Sequence, residues 1–310
     1  MLALLALDPA TAPWSLDLHS PFPLRVPRGF VARMRRGDWY DPLLRQVLPL
    51  AVEETPKPGF LLDPVGDEPS RRPGGILHKY HGRALMILTG ACAIHCRYCF
   101  RRHFPYAGAY AARSRWLEAV DYLRADPSIE EVILSGGDPL SLPTEKLAEL
   151  TAALADIPHI KRLRVHTRLP IVVPERVDAA LSSWLGKRRF HWVVVVHSNH
   201  AQEFDHAVAE AMKRMSDTGA VLLNQAVLLA GVNDAAEAQI ALSKRLFEVG
   251  VLPYYLHLLD RTQGTAHFEV GEDAARRLMG EVANRLPGYL VPRLAREIPG
   301  EAAKRVLAAT

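Results

Sequence analysis

From residue 83 onward, apolar and polar positions repeat one arrangement six times: a short apolar run rich in β-branched residues, a loop, and an amphipathic window with helical spacing. This alternation is typical of parallel βα units. The predicted strands are 84–89, 131–135, 162–166, 192–197, 221–228 and 252–258. The predicted helices are 114–124, 144–155, 174–185, 201–217, 234–249 and 272–286.

The strands are predicted to be buried on both faces, because residues 193–196 are apolar without interruption. Six such units predict an α/β fold, a partial (β/α)6 TIM-like barrel. In barrels of this kind the chemistry gathers at the carboxyl ends of the strands. The polar residues that follow each apolar run are therefore the candidates for a functional site.

The chain divides into three predicted parts. Residues 1–75 are proline-rich, with helical patches at 31–36 and 42–50 and no convincing strand, and are expected to pack on the barrel as a helical and irregular segment. Residues 76–286 form the predicted barrel. Residues 287–310 form a C-terminal segment, read as a final strand or loop that reaches back over the barrel mouth.

Composition places the 310-residue chain among soluble globular proteins, with 49% hydrophobic and 23% charged residues. Residues 1–7 are apolar but lack a basic flank, and no apolar run approaches the roughly 20 residues of a membrane span. The net charge is +4, yet the basic residues are scattered and not interleaved with aromatic residues. We expect a cytoplasmic protein that binds neither membrane nor nucleic acid.

The three cysteines of the chain lie within eight residues, directly after the first predicted strand. Cys92, Cys96 and Cys99 form the pattern C-x3-C-x2-C, which excludes a disulfide framework. Three thiolates can ligate three irons of a [4Fe-4S] cluster, and since the chain has no fourth cysteine, one iron stays open for a substrate or cosubstrate. The alternative is a structural zinc site with His95 or His103 as fourth ligand.

The cysteine spacing and the barrel together resemble the radical S-adenosylmethionine superfamily. The resemblance implies that the open iron binds S-adenosylmethionine and that its cleavage releases a 5'-deoxyadenosyl radical. It also implies a glycine-rich element after the second strand that contacts the cosubstrate's amino group, although the same residues can form an ordinary turn. That element is Ser135, Gly136, Gly137 and Asp138.

Within this superfamily, residues from about 78 to 304 resemble the lysine 2,3-aminomutase family. The segments that carry the resemblance are His78-Lys79-Tyr80, Cys99-Phe100-Arg101-Arg102, Ser135 to Asp138, His197-Ser198-Asn199-His200, Asn224-Gln225, Pro253-Tyr254-Tyr255 and Pro299 to Lys304. The resemblance implies the conversion of L-lysine to β-lysine by migration of the amino group from C2 to C3. It also implies pyridoxal phosphate as a further cofactor.

The resemblance assigns pyridoxal phosphate to three residues. Lys304, after a turn in which the family's usual glycine run is reduced to Gly300, holds the position of the lysine that forms a Schiff base. An amine that can lose its proton suits this role, and arginine does not. Lys79 and Tyr80 are expected to contact the cofactor, although relatives more often have arginine at the position of Lys79. From sequence alone, Lys304 can equally be a solvated surface charge.

The remaining expected contacts concern the substrate and S-adenosylmethionine. Arg101 falls where relatives bind the lysine carboxylate, and a guanidinium fork suits a carboxylate. Asp260 and Glu297 fall where relatives bind the distal ammonium, with Glu297 in place of the usual aspartate. Their ordinary alternatives are a helix cap and a surface charge. His197 and Gln225 are expected to contact the cosubstrate, or else to be satisfied polar groups of the core.

The wording of residues 77–84, 96–106 and 254–260 is similar to a short bacterial branch of the family, EpmB. That resemblance implies (R)-β-lysine as the product and a functional link to elongation factor P and its β-lysine ligase. The alternatives are an aminomutase for free lysine, arginine or glutamate, and a non-catalytic module that binds zinc or a cluster. Two buried carboxylates favour a substrate with a cationic distal group, because burying them opposite a neutral or anionic group would be costly.

Overall fold

The computed structural model describes residues 1–17, 19–106 and 113–310, with side chains of the helix that starts at 113 described from 116. The strands are β1 (Arg71–Arg72), β2 (Ile76–Tyr80), β3 (Arg83–Thr89), β4 (Glu131–Gly136), β5 (Arg162–Thr167), β6 (His191–His197), β7 (Val221–Val227), β8 (Leu252–His257), β9 (Arg293–Arg296) and β10 (Arg305–Val306). The α-helices are α1 (Arg28–Ala32), α2 (Pro42–Arg45), α3 (Arg113–Ala125), α4 (Thr144–Ala155), α5 (Leu169–Val172), α6 (Ala179–Leu185), α7 (His206–Ser216), α8 (Ala236–Glu248) and α9 (Glu272–Ala283).

In the described residues the strands form one sheet of ten, arranged in the order of the sequence. Strands β3 to β9 are parallel, whereas β1, β2 and β10 pair antiparallel at the two ends. The six predicted strands correspond to β3 to β8, so the predicted α/β partial barrel is confirmed. The expected final strand is also present, as β9 parallel to β8 and β10 folding back on β9.

The barrel core follows from the apolar patterns of its strands and helices. Val194, Val195 and Val196 of β6 are fully buried, as expected for a strand covered on both faces. Helix α4 places Leu147 and Leu154 on one face, and both side chains are fully buried in the main hydrophobic core.

Two predicted helices are shorter than expected. The window 174–185 consists of a 3₁₀ turn, Pro174–Arg176, followed by α6, and the window 201–217 divides in the same way. In each, an aspartate accepts a hydrogen bond from a backbone N–H of the first helical turn, Asp178 from Leu181 and Asp205 from Val208. These N-caps set the start of each helix.

No strand was predicted before residue 76, but Arg71 and Arg72 form the short strand β1. Strand β2 was also not predicted from the sequence. Strand β2 pairs with β3 through a two-residue turn in which Gly82 has a φ of +75°. A glycine at the second turn position between two apolar runs is a hairpin signal, and it was present in the sequence.

The N-terminal segment packs on the barrel, as predicted. Phe30 of α1 and Leu43 and Leu44 of α2 are completely buried in the main hydrophobic core. Leu61 forms an isolated bridge with Thr262, beyond the end of β8. The segment therefore reaches the face of the barrel where the strands end.

None of the described helices has the length and the apolar character that a membrane-spanning segment requires.

Candidate active site

A cavity of about 700 Å³ opens at the carboxyl ends of the parallel strands. Every residue that the sequence analysis singles out as a site residue contributes to its wall. They are Lys79, Tyr80, Cys92, Cys96, Cys99, Arg101, Ser135, Gly136, Gly137, Asp138, His197, Gln225, Asp260, Glu297 and Lys304. Residues that sequence reasoning missed also line it, among them Asp67, Arg83, Arg164, Arg168 and His257.

The cysteine loop leaves the end of β3 and turns its three thiols toward the cavity. The Cys99 N–H donates to the Cys96 carbonyl at 3.0 Å, which shapes the turn between these two residues. The guanidinium of Arg168 donates to Cys96 Sγ at 2.8 Å. Burial raises the pKa of the Cys92 thiol and raises that of Cys99 to about 11. A bound metal favours the thiolate form and would oppose this rise.

The two histidines proposed as zinc ligands are engaged elsewhere. His95 Nδ1 lies 2.7 Å from the Pro23 carbonyl oxygen, and its ring stacks on Phe22. His103 Nε2 lies 3.0 Å from the Gln263 carbonyl oxygen. Within the described parts of the chain, no three His, Cys, Asp or Glu side chains surround a position for a single metal ion. The arrangement does not support a mononuclear zinc site.

The glycines after β4 allow two loops to touch. A Cβ on Gly136, whose φ is +122°, would lie 2.5 Å from the Thr89 carbonyl oxygen, and a Cβ on Gly137 would lie 2.5 Å from that of Ala91. The N–H groups of Gly137 and Asp138 donate to those same two carbonyls. The glycines are thus required for packing against the start of the cysteine loop, and their expected contact with the cosubstrate stays a prediction.

Asp138 joins the ends of β4 and β5. Its carboxylate accepts hydrogen bonds from the Thr167 hydroxyl at 2.7 Å and from the N–H groups of Arg168 at 2.7 Å, Leu169 at 2.9 Å and Leu140 at 3.1 Å. Burial raises the pKa of the carboxyl, and these hydrogen bonds oppose that rise. The structure thus explains Asp138 by its role in fixing two loops.

A chain of alternating charges crosses the cavity wall. Glu297 accepts from Lys304 Nζ at 2.6 Å and from Lys79 Nζ at 3.1 Å. Asp67 accepts from the same Lys79 Nζ at 2.7 Å and from Arg101 Nε at 2.9 Å. Three cations thus share two carboxylates, which leaves one positive charge to attract an anionic group.

Glu297 contacts the three residues that are expected to bind pyridoxal phosphate, Lys304, Lys79 and Tyr80, and its expected contact with the distal ammonium of the substrate stays a prediction. Burial would raise its pKa, but the charges of Lys304 and Lys79 outweigh burial and lower that pKa to about 2. The Tyr80 hydroxyl also hydrogen bonds to Glu297, and burial together with this carboxylate raises the pKa of the tyrosine. In this state Glu297 is an anchor for Lys304.

Asp260, just beyond the end of β8, lines the same cavity. Burial, together with the negative charge of Glu297, raises its pKa to about 7. No side-chain hydrogen bond or ion pair to Asp260 is found among the described residues. Its carboxyl group is therefore available for a cationic ligand, in a position where a positive charge would favour the ionised form.

His197 and Gln225 occupy the ends of β6 and β7 and are register partners in the sheet. His197 Nε2 lies 3.3 Å from His166 Nδ1. Burial lowers the pKa of His197 to about 4, so its imidazole is neutral at physiological pH. Both side chains line the cavity, and their expected contact with the cosubstrate stays a prediction.

Comparison with known proteins identifies the family. Residues 86–186 match the radical SAM superfamily. The L-lysine 2,3-aminomutase of Escherichia coli (strain K12) is 50% identical over 92% of this chain and 83% of its own length. The chain belongs to the L-lysine 2,3-aminomutase family. The Haemophilus influenzae aminomutase is 45% identical over 95% of this chain and 87% of its own length.

Two further relatives mark the extent of the likeness. The L-lysine 2,3-aminomutase of Clostridium subterminale is 32% identical over 86% of this aminomutase but only 64% of its own length. The crystal structure of Streptococcus suis SuiB matches this chain with a TM-score of 0.52 and 16% sequence identity. The match covers 73% of this chain and 51% of the SuiB chain. This last similarity concerns the fold alone.

The residues of this aminomutase fit the cofactors of its family, a [4Fe-4S] cluster with S-adenosylmethionine and pyridoxal phosphate. The three thiols would supply the ligands of a cluster with one open iron. Lys304 would supply an amine for pyridoxal phosphate. Arg83 and Arg164 also line the cavity, and the buried Nε of Arg164 has no hydrogen-bond partner among the described residues, as expected where an anionic group binds.

The raised pKa of Asp260 predicts a pH dependence of stability for this aminomutase. Between its ordinary pKa near 4 and about 7 the folded protein binds more protons than the unfolded chain, so stability falls as pH rises through this window. Urea unfolding at pH 5 and pH 8 should show this loss in the wild type. In Asp260→Asn the loss should be smaller by on the order of 2 kcal/mol. Equal pH dependence in the two proteins would contradict the assignment.

Proposed function

We propose that this chain is a radical S-adenosylmethionine and pyridoxal phosphate-dependent lysine 2,3-aminomutase that makes (R)-β-lysine for modification of elongation factor P. The observation that carries the proposal is that the cysteine loop and Lys304, from opposite ends of the barrel sequence, open into one cavity. A radical source and an amine for pyridoxal phosphate are therefore available to one bound substrate.

Four residues of this chain hold the cofactors in the proposal. Cys92, Cys96 and Cys99 ligate the cluster, and Lys304 binds pyridoxal phosphate. When bound, the cluster would supply the electron that splits S-adenosylmethionine into methionine and a 5'-deoxyadenosyl radical, and pyridoxal phosphate would supply a conjugated ring that delocalises the radical during nitrogen migration. The chain itself contributes positioning and exclusion of water, since the site lies within the barrel and not on its surface.

Arg101 and Asp260 are proposed to set the substrate's direction. Arg101 is 8% exposed. Its Nη1 donates to Ser135 Oγ at 3.3 Å, and its Nε donates to Asp67. These contacts fix the orientation of the guanidinium group toward a substrate carboxylate. Asp260 accepts the distal ammonium. In this structure Glu297 forms an ion pair with the ammonium group of Lys304. When Lys304 binds pyridoxal phosphate, Glu297 can instead pair with the distal ammonium group of the substrate.

Binding of a cationic distal group at Asp260 also explains why lysine would be favoured over glutamate. An anionic distal group would face a second carboxyl inside a buried site, which is costly. A cationic one would draw Asp260 into its ionised form. Arginine is the alternative cationic substrate, and it is an outcome of the test below.

The proposed link to elongation factor P is supported by size and similarity. This chain covers 83% and 87% of the two more similar aminomutases but 64% of the Clostridium subterminale enzyme. It therefore matches short relatives, as the sequence motifs of the EpmB branch predict. The cytoplasmic location and the partner ligase stay predictions of the same proposal.

The test is product analysis under anaerobic conditions. Reconstituted, dithionite-reduced protein is incubated with S-adenosylmethionine, pyridoxal phosphate and L-lysine, and β-lysine is resolved by chiral chromatography. An (R) product supports the proposal, whereas an (S) product points to a free-lysine enzyme. Release of 5'-deoxyadenosine with arginine but not with lysine would identify arginine as the substrate in place of lysine. Zinc without iron and sulfide would overturn the enzyme reading.

A further inference from the structure

One sulfur of the cysteine loop differs from the other two in its surroundings. Cys96 Sγ accepts a hydrogen bond from Arg168 Nη1 at 2.8 Å. Among the described residues, no side-chain N–H donates to the sulfur of Cys92 or Cys99, and Arg25 reaches only the Cys92 carbonyl, at 2.9 Å. A buried guanidinium thus donates a hydrogen bond to the sulfur of Cys96, whereas Arg101 and Arg102 act on Cys99 through their charges and through the backbone N–H of Arg101.

Arg168 is held in this position from several sides. Its Nη1 also donates to the Tyr98 hydroxyl oxygen at 2.6 Å, and its Nη2 donates to Gln46 at 2.7 Å and to Glu203 at 3.0 Å. Its backbone N–H is fixed by Asp138 at 2.7 Å. With 5% of its surface exposed, this guanidinium cannot rotate away without breaking four side-chain hydrogen bonds.

The partners of Arg168 are themselves buried and fixed. Glu203 is completely buried and accepts the N–H of Asn199 at 2.9 Å, and the Asn199 side chain donates to the Tyr98 hydroxyl oxygen at 2.7 Å. An arginine guanidinium does not lose its proton in proteins. The guanidinium is therefore a permanent positive charge.

We propose that Arg168 is a positioning residue for the cluster ligand Cys96, and that its N–H···S hydrogen bond and charge make the cluster easier to reduce. The proposal rests on the proposed function, which places the cluster on these cysteines. One-electron reduction adds a negative charge to the cluster and its thiolates. A donor and a cation fixed beside one thiolate stabilise that added charge, and hydrogen bonds to sulfur are a general means of raising a cluster's potential.

The position of Arg168 explains why it belongs to the site. It directly follows β5, at the carboxyl end where barrel folds carry their functional residues. The sequence gives no reason for a buried arginine at that point other than an anionic partner. Glu203 accepts a hydrogen bond from Nη2 and offsets the buried charge of Arg168, whereas Nη1 donates to Cys96 Sγ.

The experiment measures cluster reduction and not only turnover. Wild-type protein and Arg168→Gln are reconstituted anaerobically, iron and sulfide are determined, and the reduced fraction is followed by low-temperature EPR during titration with dithionite against redox mediators. In Arg168→Gln we expect the ratio of reduced to oxidised cluster at a fixed potential to fall about tenfold. For one electron this equals a shift of about 59 mV to lower potential.

Three variants make the result specific. Arg168→Lys keeps the charge and should lower the ratio less than Arg168→Gln does. The double variant R168Q/E203Q leaves no buried carboxylate alone, so it serves if the single variant does not fold, and its ratio should also fall. Arg25→Lys, which alters an exposed cation of the N-terminal segment that donates to the Cys92 carbonyl and not to a sulfur, should leave the ratio unchanged.

A folded, cluster-bearing Arg168→Gln or double variant with a ratio within about twofold of the wild type would overturn the inference and leave the proposed function standing. Absence of iron and sulfide from the wild type would instead overturn the proposed function, and the inference with it. The two failures are therefore distinguishable.

Discussion

Replacing Lys304 with arginine is expected to reduce lysine 2,3-aminomutase activity by about three orders of magnitude or more, because arginine keeps the positive charge but has no amine that can lose its proton. Lys304 Nζ lies 2.6 Å from Glu297 and is partly exposed to the cavity, so pyridoxal phosphate can reach it. The covalent adduct should be trapped by borohydride reduction in the wild type and located by mass spectrometry. In Lys304→Arg the adduct should be missing while the iron content is unchanged.

The matched control for this variant is Lys161→Arg. Lys161 is an exposed lysine at the amino end of β5 that pairs with Glu130 and lies outside the cavity. Its replacement should alter neither the adduct nor the activity. If the trapped adduct were located at Lys79 or another lysine, the assignment of Lys304 would be wrong although the protein would remain dependent on pyridoxal phosphate.

Replacing Glu53 with glutamine is expected to reduce the free energy of unfolding by about 3–5 kcal/mol, because it leaves two buried guanidinium groups without a counter-charge. Glu53 and Arg97 are completely buried and form a bidentate pair. Arg102 donates to the same carboxylate at 2.9 Å. Since Arg97 and Arg102 flank Cys99, the variant should also retain less cluster after reconstitution.

Urea unfolding followed by circular dichroism measures this loss, and iron analysis measures cluster retention. Glu54→Gln is the control, since Glu54 is the exposed neighbour of Glu53 and makes no described ion pair. That variant should unfold within about 0.5 kcal/mol of the wild type. Equal stability of the two variants would mean that the buried pair contributes nothing to the fold.

The strands and the cavity were predictable from the sequence because they depend on local patterns. Residues 193–196 form an uninterrupted apolar run that describes a buried strand, and the cysteine spacing describes a ligand set wherever it lies. The parallel order of the strands then places every carboxyl end on one face. This is why the residues after β3, β4, β6 and β8 meet in one cavity.

The contacts that carry charge between distant segments were not predictable. Glu53 lies in the polar sequence Glu53-Glu54-Thr55, and nothing in that sequence indicates that one glutamate is buried and its neighbour exposed. Asp67 lies in a proline-rich stretch without periodicity, so its place between Lys79 and Arg101 depends on tertiary packing. Arg168 was within reach of prediction, since it directly follows a strand.

The row of alternating charges on the cavity wall, from Lys304 to Arg101, joins residues that are synthesised at different times. Lys79 and its partner Glu297 are 218 residues apart, and Gln46 and its partner Glu203 are 157 residues apart. At 5–20 residues per second, Glu297 leaves the ribosome roughly 10–40 s after Lys79. Asp67 is synthesised before Lys79 and Arg101 and can pair with both, whereas the ion pairs that Glu297 makes with Lys79 and Lys304 can form only after this interval.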